Sequence, residues 1–207
     1  MKKLFLLAAV SSLYISTFAF EGTIEQIYVN PETQVQMTFL WYLNGDDVRL
    51  DILNGEESMT LIPDFEVKSL NMFGVKPDND GNYWYSNTPL GELVVNVPSV
   101  RLLESTAGRY QSKPAQEVKV MTDSGLMVVQ YVDYIQVNME NMLAVFAESV
   151  EFKAVSLASS RGFPVSSILM TSEDAIYTLT TKAIQEKVIE AGTFKVPSNY
   201  KLFSGIK

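Results

Sequence analysis

With neither His nor Cys among its 207 residues, the chain lacks the commonest general base, the commonest metal ligand and all thiol chemistry. It sets 16 Lys and Arg against 24 Asp and Glu, a formal charge of −8, which disfavours nucleic acid and anionic membrane surfaces as partners. An enzyme made from this chain would have to work with carboxylates, Lys or Tyr.

Residues 1–19 read as an export signal. Lys2 and Lys3 form a basic start, Leu4 to Val10 begin an apolar run, and Thr17-Phe18-Ala19 fits the small-x-small cleavage rule. Ser11, Ser12, Ser16 and Thr17 interrupt the run, short of the ~20 apolar residues that a membrane helix needs. No Cys follows the cleavage site to carry a lipid anchor, and no later stretch is apolar enough to span a bilayer. Residues 20–207 then make a single domain of roughly 188 residues. Loss of Lys2 and Lys3 takes the formal charge from −8 to −10. The expected location is the periplasm, with secretion as the alternative.

Phe20 to Tyr28 predicts a first strand, followed by the turn Asn30-Pro31-Glu32. Val35 to Leu61 predicts two consecutive hairpins. Val35, Met37, Phe39, Trp41 and Leu43 recur at every second position, the period of a half-buried strand. Asn44-Gly45-Asp46-Asp47 suits a tight turn, because Asn-Gly accepts positive φ. Any even-length loop there sets Val48, Leu50 and Ile52 on the face of Phe39 and Trp41. A second turn at Asn54-Gly55 adds Met59 and Leu61 to that face. Glu66 to Phe73 predicts a further strand, 76–82 a loop, and Tyr83-Trp84-Tyr85 a short aromatic strand or edge.

Leu93 to Val97 predicts a brief apolar strand. Glu104 to Gln116 is polar, carries Gly108 and Pro114, and predicts a long surface loop. Glu117–Thr122 and Leu126–Val137 form a hairpin through Asp123-Ser124-Gly125. Asn138 can cap a helix in which Met139, Met142, Leu143, Phe146, Ala147 and Val150 make one apolar stripe. Arg161-Gly162-Phe163-Pro164 is a tight connection into a last hairpin, Val165–Thr171 and Ala175–Ile184. Gln185 to Ala191 permits a short helical turn that Gly192 could end. Phe194 to Tyr200 is an extended tail around Pro197. The order of strands, helix and strands gives an α+β fold: a curved antiparallel sheet wrapped around one or two helices.

Several of these stretches resemble a bacterial envelope family of unassigned function whose fold is similar to LolA, the periplasmic carrier of outer-membrane lipoproteins. The mature start Phe20-Glu21-Gly22-Thr23-Ile24 and the run Tyr42-Leu43-Asn44-Gly45-Asp46-Asp47-Val48-Arg49-Leu50-Asp51 look like that family's opening strand and its Gly-Asp turn with Val-Arg-x-Asp. Gly162-Phe163-Pro164 is similar to its Gly-x-Pro step. Phe194-Lys195-Val196-Pro197-Ser198-Asn199-Tyr200 looks like its closing Phe-x-x-Pro-x-x-Tyr. The resemblance implies a LolA-like incomplete barrel with an apolar cavity between sheet and helices, and no catalytic residue. Glu104–Gln116 and Tyr83-Trp84-Tyr85 have no counterpart in that pattern.

The candidate ligand-lining residues are Met37, Phe39, Trp41, Leu50, Ile52, Met59 and Leu61 on the strands, with Met142, Leu143 and Phe146 on the helix. An ordinary packed core is the competing reading of the same face. Frequent Met favours a lining, since its flexible thioether adapts to variable apolar shapes. Arg49, on the opposite face beside Tyr42 and Asp51, is a candidate polar anchor for a head group, or else a structural ion pair or cation–π contact. Asp78 and Asp80 lack the later ligands of a calcium loop and read as turn chemistry. No metal, cofactor or catalytic group is expected. The resulting expectation is a non-enzymatic binding or carrier protein for a lipid or acylated protein. The alternative is an envelope interaction or structural domain with a solid core. A carboxylate-dependent hydrolase is a third, weaker reading, because no acidic pair sits in a recognisable motif.

Overall fold

The structure is a computed structural model. It describes residues 20–55, 57–90, 99–139, 142, 149–158, 161–171 and 174–203. The alternation in the first third becomes a meander of six strands: β1 (Glu21–Asn30), β2 (Val35–Asn44), β3 (Asp47–Asn54), β4 (Glu57–Asp64), β5 (Ser69–Gly74) and β6 (Tyr83–Pro89). A second meander starts at the far edge with β7 (Val100–Tyr110), β8 (Lys113–Thr122) and β9 (Gly125–Val132). It returns inward through β10 (Phe163–Met170) and β11 (Ala175–Glu186). The two meanders join where β11 pairs antiparallel with β1, Gly22 opposite Glu186. A three-residue strand, β12 (Tyr200–Leu202), adds to β6 in parallel. One open sheet results, in the order β12-β6-β5-β4-β3-β2-β1-β11-β10-β9-β8-β7.

The hairpin register follows from the turns. Gly45 has φ 60°, which its missing Cβ permits, and Asn44 pairs with Asp47 across a two-residue loop. That sets Trp41 against Leu50 and Phe39 against Ile52. The next hairpin sets Leu50 against Leu61 and Ile52 against Met59. Directly paired residues share a face, so the inner face of β1–β4 carries Ile24, Trp41, Leu50 and Leu61, all buried.

Three expectations are corrected. The fold is nearly all β, not α+β, and its sheet is mixed through the parallel β6–β12 pair. Twelve strands stand against one complete helix among the described residues, α1 (Val150–Leu157). The supposed loop at Glu104–Gln116 is the greater part of a long hairpin, β7 with β8, closed by Gln111 and Ser112 at φ 47° and 68°. β7 is an edge strand whose residues are mostly exposed, so nothing selects an apolar alternation there, and the turn carries neither Gly nor Asn. The apolar stripe from Met139 to Val150 is not one helix either. Met139 and Met142 are helical and buried, but Ser149 is extended, and its Oγ accepts from Phe152 N at 3.4 Å to cap a separate helix. The predicted signal at 1–19 and the strand at Leu93–Val97 lie outside the described residues.

Helix α1 lies on the β7–β10 side of the inner face. It buries Phe152, Ala154 and Val155 there. Trp41 on β2 and Phe163 on β10 are three strands apart, about 14 Å in a flat sheet. Their ring centroids nevertheless stand 5.4 Å apart, edge to face. The sheet therefore curls toward this face. Gly162 makes the entry to β10 possible, because a Cβ there would meet the Val132 carbonyl oxygen at 2.6 Å.

On the opposite face the chain after β11 runs back as a strap. Lys187 N donates to Glu21 O and Ile189 N to a Glu21 carboxylate oxygen. A 3₁₀ turn at Ala191–Phe194 lies against β3. Tyr200 then packs between Phe73 and Tyr83, with ring centroids at 4.8 and 5.1 Å, before β12 forms.

Candidate functional site

A cavity of about 330 Å³ lies between the inner face of β1–β3, strand β11 and the start of α1. Its wall is mostly apolar: Phe39, Trp41, Leu50, Ile52, Phe152 and Leu179 line it together with Tyr28 and Tyr177. One side is aromatic. Tyr28 stacks near Tyr177 at 5.4 Å and near Phe39 at 6.2 Å between centroids. At the other side Trp41 meets Phe152 and Phe163 edge to face, at 5.6 and 5.4 Å. Such contacts fix ring positions and add to area burial.

Trp41 is held by more than packing. Its Nε1 donates to Gln26 Oε1 at 2.9 Å. Gln26 Nε2 donates in turn to Pro164 O at 2.8 Å and to Thr181 Oγ1 at 3.2 Å. Thr181 Oγ1 donates in turn to Val165 O at 2.7 Å. Gln26 and Thr181 are buried, and the chain of donors ties β2, β1, β11 and β10 together. It sits where the β1–β11 ladder shifts register after Glu25 and the β9–β10 ladder shifts after Pro164. Both are irregularities that free backbone carbonyls for side-chain donors.

The charged group among the lining residues is Glu151, in the first turn of α1. Its Oε1 accepts from Tyr177 OH at 2.7 Å and Ser167 Oγ at 3.2 Å. Its Oε2 accepts from Ser149 Oγ at 2.8 Å. Three hydroxyls converge on one carboxylate, which as an acceptor-only group matches them. The first helical turn also favours negative charge there. Burial first, then the charge of Glu151 and the hydrogen bond to it, push the Tyr177 phenol far above its ordinary range.

Of the sequence-derived lining residues, the structure brings Phe39, Trp41, Leu50 and Ile52 together in this wall. Met37 pairs with Tyr28 but is not itself in the wall, and Met59 is 40% exposed. Leu61 and Met142 are packed in the core. Leu143 and Phe146 lie outside the described residues. Arg49 is on the other face of β3. Its Nε and Nη2 bind Asp51 at 2.8 and 3.0 Å, its guanidinium stands 5.2 Å from the Tyr42 ring centroid, and Nη1 donates to Thr193 O at 3.2 Å. It fastens the strap.

Glu151, Ser149, Tyr177, Ser167 and Gln26 were not singled out from sequence. A signal existed for two of them. Gln26 sits at an inward position between Ile24 and Tyr28, and Ser149-Val150-Glu151 reads as a helix cap with an acidic first turn.

A larger depression of about 770 Å³ lies at the turn end of β2–β4, under the strap. It is lined by Asp46, Asp47, Asp64 and Glu66 as well as Phe65 and Phe194. Among the described residues no group of His, Cys, Asp and Glu is placed to hold a metal ion, and no helix is long and apolar enough to cross a membrane.

No family profile and no curated protein sequence matches the chain. Among solved structures it is similar to PNGF-II in space group C2, with a TM-score of 0.52 and 9% identity. The match covers 89% of this chain and 31% of that one. At that identity the likeness is one of fold, and this chain spans about a third of that protein's length.

Proposed function

We propose that the chain is an exported binding protein, working in the periplasm, that shelters an apolar ligand such as a lipid or the acyl part of a lipidated protein. The observation that carries this reading is the cavity beside α1. Its volume of about 330 Å³ falls in the range of small-ligand sites, roughly 300–1,000 Å³, and its wall is aromatic and aliphatic with few polar groups. Each methylene moved there from water contributes about 0.8 kcal/mol, so a short acyl segment suffices for measurable affinity. The basic, apolar and small-residue pattern of residues 1–19 supports export. Binding is reversible in this reading.

Protein purified from the periplasm without detergent should show a copurified apolar mass in native mass spectrometry. Stripped protein should bind an uncharged environment-sensitive dye such as Nile red at one site. An empty protein that also leaves the dye dark would favour the solid-core reading instead.

A further inference from the structure

The cavity wall has one charged residue, and it is negative. Glu151 lines the cavity beside Ser149, while no Lys or Arg is among the lining residues. Among the described residues no ion pair joins a Lys or Arg to Glu151. Its three hydroxyl partners come from three separate elements: Ser149 ahead of α1, Ser167 on β10 and Tyr177 on β11. Ser167 pairs with Leu179 and Tyr177 with Leu169, so the two hydroxyls are diagonal neighbours on one sheet face, aimed at a common point. A carboxylate offers about four lone-pair sites. Three are taken, which leaves capacity for one more donor at the edge of an apolar chamber. A fixed anion in such a chamber repels a second anion and attracts a cation more strongly than it would in open water.

We infer that the cavity selects amphiphiles with a positively charged, hydrogen-bond-donating head group, which Glu151 receives while Phe39, Trp41 and Ile52 take the apolar tail. This rests on the proposal that the cavity binds an apolar ligand, and it adds the sign of the head group. Ser149, Ser167 and Tyr177 are positioning residues in this arrangement. They hold the carboxylate in one orientation, so little ordering is left to do when the ligand arrives. Free fatty acids are then poor ligands despite a suitable tail.

The test is displacement of bound Nile red by dodecylamine, dodecanol and dodecanoic acid, each below its micelle concentration at neutral pH. In the wild-type chain the amine should bind at least about tenfold tighter than the acid, with the alcohol between them. Glu151→Gln keeps the shape and a hydrogen-bond acceptor but removes the charge. It should bring amine and acid to within about threefold of each other and leave the alcohol nearly unmoved. The wild-type ranking stands as a test even if the variant folds poorly. Dye binding with a flat or reversed ranking overturns the head-group inference alone. Absence of dye binding in the wild-type chain overturns the ligand proposal and this inference with it.

Discussion

The two faces of β2 and β3 are built from the same hairpin yet are used in opposite ways. Trp41 and Leu50 point inward, while their neighbours Tyr42 and Arg49 point outward. On the outer face Arg49 and Asp51 are fully engaged. Arg49 is shared among Asp51, Tyr42 and Thr193, and Asp51 also accepts from Thr60 Oγ1 at 2.8 Å. On the inner face the aromatic residues stop short of filling the space, and Glu151 keeps accepting capacity. The lesson is that a guanidinium in a suggestive motif can be structural, while a glutamate at a helix start can be the group a ligand meets. What separates them is whether the partners already present use up the hydrogen-bonding groups.

The largest effect that would sharpen this contrast is loss of the inner-face keystone. Trp41→Ala removes two ring contacts and strands Gln26 Oε1, so it should cost about 3–5 kcal/mol in urea denaturation. A cost below about 1 kcal/mol would mean that the inner face is not organised by this residue. A smaller effect is expected outside. Arg49→Ala should cost about 1–2 kcal/mol, because the Arg49–Asp51 pair is partly exposed and its loss releases one contact of the strap. Hydrogen exchange should then speed up across 187–203 while dye affinity in the cavity stays unchanged. Weakened dye binding would break the comparison by coupling the two faces.

Much of the first meander was legible because each signal was local. Asn44-Gly45 and Asn54-Gly55 set the register, and alternation did the rest. The wall residues Phe39, Trp41, Leu50 and Ile52 came from that same alternation. What escaped was non-local or lacked a burial signal. The β1–β11 pairing joins residues more than a hundred positions apart, and no local pattern announces it. β7 alternates weakly because solvent surrounds it. The hydroxyls of Ser167 and Tyr177 gain meaning only when the helix brings Glu151 over them. The α+β reading failed for related reasons. It spent Glu104–Gln116 as loop and joined Met139 to Val150 in one helix across the Ser149 cap.

The central claim is that the space bounded by Phe39, Trp41, Leu50 and Ile52 is the ligand site. Ile52→Trp tests it most directly, because it adds bulk to the cavity wall at a residue that takes no part in the hydrogen bonds of the Gln26 network or the strap. We expect Nile red binding to be lost while the cooperative unfolding transition remains within a few degrees of the wild-type chain. Wild-type dye affinity in a folded Ile52→Trp protein would contradict the claim.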